Sequence, residues 1–241
     1  MNNIVNKMKS KAKNTLTLKK QRGMSLLEVI IVLGIIGTMA AAVVILAQRA
    51  FTSQDITDLV DNTNSVRVAA GNAYHDVGIY PEKAGTALSL TPSTIETSKG
   101  ETAPMVATLV QLGQVSATEI KNGMSGDYFM MQGVKLTADA EDGSTKGFVL
   151  ALNGLDAGSC RSILTQVGNT WDFVQVATAA AGADPTLPTS LDGDVAITAT
   201  GGGPTGVMKS LAAAGGVTIS PDAAAQACSD NDNNAVILGS K

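Results

Sequence analysis

The sequence predicts an α+β protein: one long N-terminal helix, half of it hydrophobic, packed on an antiparallel β-sheet with flanking helices. Three observations carry that expectation. Val29 to Ala47 is a run of 19 residues without a charge. A helical period continues beyond it from Gln48 to Val77. The later part of the chain then holds short apolar runs rich in β-forming residues.

Charge divides the chain. Seven of its 17 basic residues (Lys7, Lys9, Lys11, Lys13, Lys19, Lys20, Arg22) stand before Gly23 with no acid among them, which leaves 10 basic against 21 acidic residues afterwards. An acidic body argues against nucleic-acid binding, which needs cations to neutralise phosphates. A basic leader ahead of an apolar run reads instead as a membrane address. Aromatic residues are only 3% of the chain, so its core must be built from aliphatic side chains.

The apolar run is long enough to span a hydrocarbon core of about 30 Å. The first proline is Pro81, so nothing rigid interrupts a helix before it. Basic residues upstream set the N-terminus in the cytoplasm and the body outside. Glu28 is the odd residue, because a carboxylate in a membrane helix costs a few kcal/mol and needs a partner or a role. A plain anchor explains it as an acid at headgroup level favoured by the helix dipole, but does not explain Gly23-Met24 just ahead of it.

Arg22-Gly23-Met24-Ser25-Leu26-Leu27-Glu28-Val29-Ile30 resembles the processing site of type IV pilins, in which a prepilin peptidase cuts after the glycine and methylates the new N-terminus. The long leader and methionine at the first mature position are similar to the type IVb subclass. The run from Val29 to Gly37, continued by Leu46-Ala-Gln-Arg-Ala50, resembles the major pilins of toxin-coregulated, longus and colonisation-factor pili. The resemblance implies cleavage after Gly23, N-methylation of Met24, and a subunit inserted in the inner membrane before it polymerises into an extracellular filament. It also implies partners: further copies of the chain, the peptidase, the assembly machinery with minor pilins, and host cell surfaces. Cleavage would leave an α-amino group at Met24, which Glu28 of a neighbouring subunit can neutralise, offsetting the desolvation of both. Glu28 is therefore the expected assembly residue. Two alternatives stay open: a pseudopilin of a secretion system, and a secreted protein cut by ordinary signal peptidase after Ala40-Ala41-Ala42.

From Gln48 onward, Ile56, Leu59, Val60, Thr63, Val66, Ala70, Ala73 and Val77 recur at helical spacing, with Asp55, Asp58, Asp61 and Arg67 off that stripe. A single helix from Leu26 to about Asp76 would reach about 75 Å, too long for burial in one domain of this size. The expected organisation is a leader over 1–23, a long helix over 24–77, a loop region over 78–127 and a sheet with a cysteine-bounded region over 128–241.

Gly78 and Pro81 end the helix, and residues 82–104 read as a long loop with short helices at most. Similar pilins place their αβ-loop here, where it forms subunit contacts. Helices are expected near 104–112 and 116–122, the second opened by a Ser116/Glu119 capping box. Strands are expected at Tyr128–Leu136, Gly147–Asn153, Trp171–Thr178 and Ala235–Gly239. Further helices are expected at Asp156–Val167, Thr205–Ala214 and Pro221–Ser229, with 179–203 irregular or in short strands.

Cys160 and Cys228 are the only cysteines, spaced too widely for a CxxC redox or zinc motif. Outside the cytoplasm a disulfide is the default, and similar pilins use one to close a C-terminal D-region. No catalytic set is apparent and no cofactor is expected. His75, the sole histidine, lies on the long helix and reads as a surface residue, so no His-based metal cluster or Ser-His-Asp triad is expected. Gly201-Gly202-Gly203-Pro204 lacks the frame of a phosphate loop and reads as a turn. Asp230-Asn231-Asp232-Asn233-Asn234 offers calcium-style oxygens without the later glutamate of an EF-hand. Asp139, Glu141 and Asp142 read as a solvated turn.

Overall fold

The computed structural model describes residues 24–82, 85–100, 103–200, 203–212 and 218–241, with the backbone alone for 197–200 and 203–205. The leader, including Gly23, lies outside the described residues, as do Gly201 and Gly202. The chain divides into two units, one ending at Arg49 and one running from Ala50 to Lys241.

Helix α1 (Leu26–Tyr74) begins in the first unit and ends in the second. Gly34 and Gly37 remain helical within it. In the first unit its large apolar residues, Leu27, Ile30, Leu33, Ile36 and Val43 among them, are exposed. In the second unit the expected stripe is buried at Ile56, Leu59, Thr63, Val66 and Ala70, with Ala69 added. Val77 departs from the expectation. The helix stops at Tyr74, and Val77 stands 65% exposed in the turn beyond it. Gly78 closes that turn with φ +74°, its N–H donating to the Tyr74 carbonyl at 2.9 Å, as a left-handed residue after a helix does.

The following loop holds a 3₁₀ turn (Ala87–Ser89) and α2 (Pro92–Ile95), whose N-terminus carries a capping box between Thr91 and Thr94. Helix α3 (Met105–Gln111) buries Met105, Val106 and Leu109. The helix expected near 116–122 does not form. Ser116 and Glu119 do make the reciprocal bonds, at 2.8 and 3.3 Å, and the Ser116 N–H and hydroxyl hold the Glu119 carboxyl below its usual range. Only one turn follows, because the Asn122 N–H donates to Asp127 O at 2.7 Å and folds the chain back on itself.

Among the described residues the sheet has six strands in the order β1-β2-β6-β3-β5-β4, with every neighbouring pair antiparallel. They are β1 (Met130–Val134), β2 (Gly147–Leu155), β3 (Phe173–Thr178), β4 (Ala196–Thr200), β5 (Gly203–Lys209) and β6 (Asn234–Ser240). Two helices interrupt the strands: α4 (Ala157–Val167) and α5 (Pro221–Ala227). The helix expected at Thr205–Ala214 is overturned by β5, where Gln175 pairs with Val207 and Val176 with Gly206. Long-range pairing with β3 prevails there over weak helix propensity, and Gly203, Pro204 and Gly206 are poor helix formers. Within 179–195 the chain is a strap without regular structure, followed by β4.

The sheet faces differ. On one, Phe148 of β2 meets Tyr80 at a tilt and Trp171 edge to face, at ring-centroid separations of 4.9 and 6.2 Å. The strap crosses the other. Its Leu191 is fully buried against Gly147 and Gly239, whose missing side chains leave the space.

Candidate assembly and processing site

Met24 and Ser25 precede the first turn of α1, and Glu28 lies within that turn. All three are exposed in the isolated subunit. A carboxylate in a first turn meets the positive end of the helix dipole. Beyond it, α1 is long and apolar enough to cross a membrane, and none of its most apolar window is buried within the subunit. So large an exposed apolar surface requires lipid or protein around it.

Cys160, in α4, and Cys228, just after α5, are joined by a disulfide with Cα atoms 6.0 Å apart. Both are buried. The bond ties the two helices that flank β3, β4 and β5 in the chain. Helix α4 is set by Asp156, which accepts from the N–H groups of Gly158 and Ser159 at 2.7 and 3.0 Å. Burial raises its pKa, but hydrogen bonds from the Ser159 hydroxyl and these N–H groups outweigh it and hold the carboxyl below its usual range.

His75 is exposed beside Asp76, its Nδ1 3.1 Å from that carboxylate. In the 230–234 turn, Asn234 Oδ1 accepts from the Ser229 N–H at 2.8 Å while its Nδ2 donates to Leu155 O. Asp230 pairs with Arg161 at 3.0 Å, so these side chains brace a loop. Among the described residues no group of three His, Cys, Asp or Glu side chains is placed to hold a metal. A cleft of about 530 Å³ between β3 and the strap, lined in part by Phe173, Gln175, Thr186, Pro188 and Val207, contains no acid, base or thiol.

Sequence reasoning missed two clusters. Arg67, off the apolar stripe, turns inward to Thr170, Trp171, Asp172 and Ser240. Asn153 is buried and donates to Asp127 and to the carbonyls of Ala180 and Ala183, fixing the start of the strap. No local pattern signals either, since each depends on residues 26 or more positions apart.

A membrane-length apolar helix that continues into a disulfide-closed α+β body is the architecture of a type IV pilin. Residues 18–44 match the prokaryotic N-terminal methylation motif, and residues 108–221 match the toxin-coregulated pilus subunit family TcpA. The chain is 37% identical over 192 residues to the toxin coregulated pilin of Vibrio cholerae serotype O1, covering 80% of this chain and 76% of that one. A second toxin coregulated pilin of Vibrio cholerae is 35% identical over 195 residues, covering 80% and 77%. The crystal structure of TcpA, a type IV pilin from the El Tor biotype of Vibrio cholerae, superimposes with a TM-score of 0.59 at 26% identity, over 78% of this chain and 99% of that one. The chain belongs to the toxin-coregulated pilin family of type IVb pilins, and is a structural protein, not an enzyme.

Proposed function

We infer that this chain is the major subunit of a type IVb pilus, made as a prepilin and polymerised through α1 into a surface filament. The observation that carries the reading is the exposed apolar part of α1 with Glu28 in its first turn, on a body whose relatives are toxin coregulated pilins. Prepilin peptidase cuts after Gly23 and methylates Met24. Before assembly the apolar segment sits in the inner membrane, with the N-terminus cytoplasmic and the body periplasmic. Assembly machinery and minor pilins then draw it into the filament, where Glu28 of one subunit neutralises the Met24 ammonium of another. The organisation follows: leader 1–23, N-terminal segment 24–77 built on α1 (Leu26–Tyr74), αβ-loop region 78–127, and sheet with D-region 128–241. The filament's role is adhesion, aggregation and host colonisation.

The intact mass of protein sheared from cell surfaces tests this. A chain starting at Met24 and one methyl group heavier than the unmodified sequence supports it. A start at Val43, or absence of the protein from sheared filaments, overturns it.

A further inference from the structure

In the second unit, α1 meets the core through unequal contacts. Ile56, Leu59 and Val66 supply bulk, but beyond Val66 the fully buried residues are only Ala69 and Ala70, and the larger Tyr74, partly buried, meets Tyr80 edge to face only at the last residue of the helix. A Cβ built at Gly71 would touch nothing within 4 Å. Helix packing takes its geometry from interlocking side-chain ridges, and a row of alanines offers shallow ones. Between Val66 and Tyr74, directional bonds are what is left to set the rotation of the helix on the sheet.

Arg67 supplies them. Its Nη1 donates to Thr170 O at 2.8 Å and its Nε to Ser240 Oγ at 3.1 Å, while Nη2 lies 3.9 Å from Asp172 Oδ2. The guanidinium carbon stands 5.0 Å from the centre of the fully buried Trp171 ring. The receiving groups are themselves held. Ser240 Oγ and the Lys241 N–H donate to Asp172 at 3.3 and 3.2 Å, and the Asp172 N–H donates to Gly239 O. One planar fork thus grips the approach to β3 and the end of β6 together, a geometry that a lysine ammonium does not reproduce.

We propose that Arg67 is a positioning residue for filament assembly: it fixes the rotation of α1 on the sheet, and with it the orientation in which the body is presented to neighbouring subunits. The proposal rests on the pilin reading above. Loss of the clamp leaves a folded, disulfide-closed body on a helix free to turn by part of a residue step, so subunits polymerise poorly or without regular order.

The test compares full-length wild type, Arg67→Lys and Arg67→Ala in cells carrying the assembly machinery. Body integrity is read by protease resistance and by thiol labelling without reductant. Trp171 is the only tryptophan, so its emission reports departure of the guanidinium. The expected result is a shifted emission in both variants, an intact body in Arg67→Lys, and at least tenfold fewer sheared filaments or loss of helical order in electron-microscope diffraction. Arg67→Lys filaments equal to wild type in number and order would overturn the proposal. So would a fall in filaments matched by an equal fall in protease-resistant body in both variants. Absence of wild-type filaments would instead refute the pilin reading.

Discussion

Gly133 lies directly beneath the Tyr80 carbonyl, so closely that a Cβ at that position would collide with the backbone of Tyr80 and Pro81. The contact is made by hydrogen bonds from both sides. Gly133 N–H donates to Pro81 O at 2.6 Å, and Tyr80 N–H donates to Thr145 O at 2.7 Å. This crossing fastens the chain leaving α1 to strand β1 at the sheet edge. Because the obstruction is backbone rather than a flexible side chain, relief requires the whole segment to move. Gly133→Ala should therefore cost about 2–3 kcal/mol, in the upper range for overpacking. Thermal unfolding followed by circular dichroism checks it, with a fall in midpoint of several degrees expected. An unchanged midpoint would show that the crossing yields easily.

The Cys160–Cys228 bond closes a loop that contains three of the six strands and spans 68 positions. Chain-entropy arithmetic for a loop of that length gives about 4 kcal/mol of stabilisation through the unfolded state. Replacing both cysteines with serine should lower the urea midpoint accordingly, and reductant should then have no further effect. Alkylation of native protein without reductant should modify neither sulfur, since both are bonded and buried. Labelling at either position in folded wild type would contradict the bridge.

Asp156 makes a pH prediction. Its carboxyl is held below its usual range in the folded state, so the folded form favours the ionised group. The stabilisation is fully present above the unfolded carboxyl value of about 4 and is lost as pH falls through the lower folded value. Asp156→Ala removes the acceptor for two N–H groups of α4 and should cost about 1–2 kcal/mol near neutrality, as lost N-caps do. Below about pH 3 the gap between variant and wild type should narrow. Urea titrations at neutral and acid pH measure it, and a gap that widens in acid would reverse the assignment.

What could be read from sequence was whatever a local period or cap expresses. The stripe from Ile56 to Ala70, the end of α1 before Gly78, the helix expected at Asp156–Val167 and the four apolar strands are all set by neighbours within a few residues. Most failures lie where distant chain decides. Thr205–Lys209 joined β5 because β3 offers a pairing edge, whereas the 116–122 helix is a local miss, stopped after a turn where the Asn122 N–H bonds Asp127 O five residues on. Periodicity places Arg67 off the apolar stripe, yet its acceptors sit 103 and 173 positions away. The strap was legible only as irregular. Nothing around Leu191 announces that its seat is built from Gly147 and Gly239.

Glu28 carries the prediction closest to function. It is exposed in the first turn of α1, and in an apolar surrounding its charge is tolerable only with a counter-charge. Under the proposed cleavage after Gly23, Met24, four residues earlier, gains an ammonium, and two such helices side by side can exchange these partners. Glu28→Ala should leave cleavage after Gly23 intact, because the scissile bond lies five residues upstream, while reducing filaments at least tenfold. Glu28→Asp shortens the reach but keeps the charge, so it should retain part of the wild-type number. Processing is followed by the mass of the membrane-held subunit, and assembly by electron microscopy of cells. Normal piliation in Glu28→Ala would remove the carboxylate from the assembly mechanism. A block in cleavage would instead make Glu28 part of the peptidase's recognition sequence.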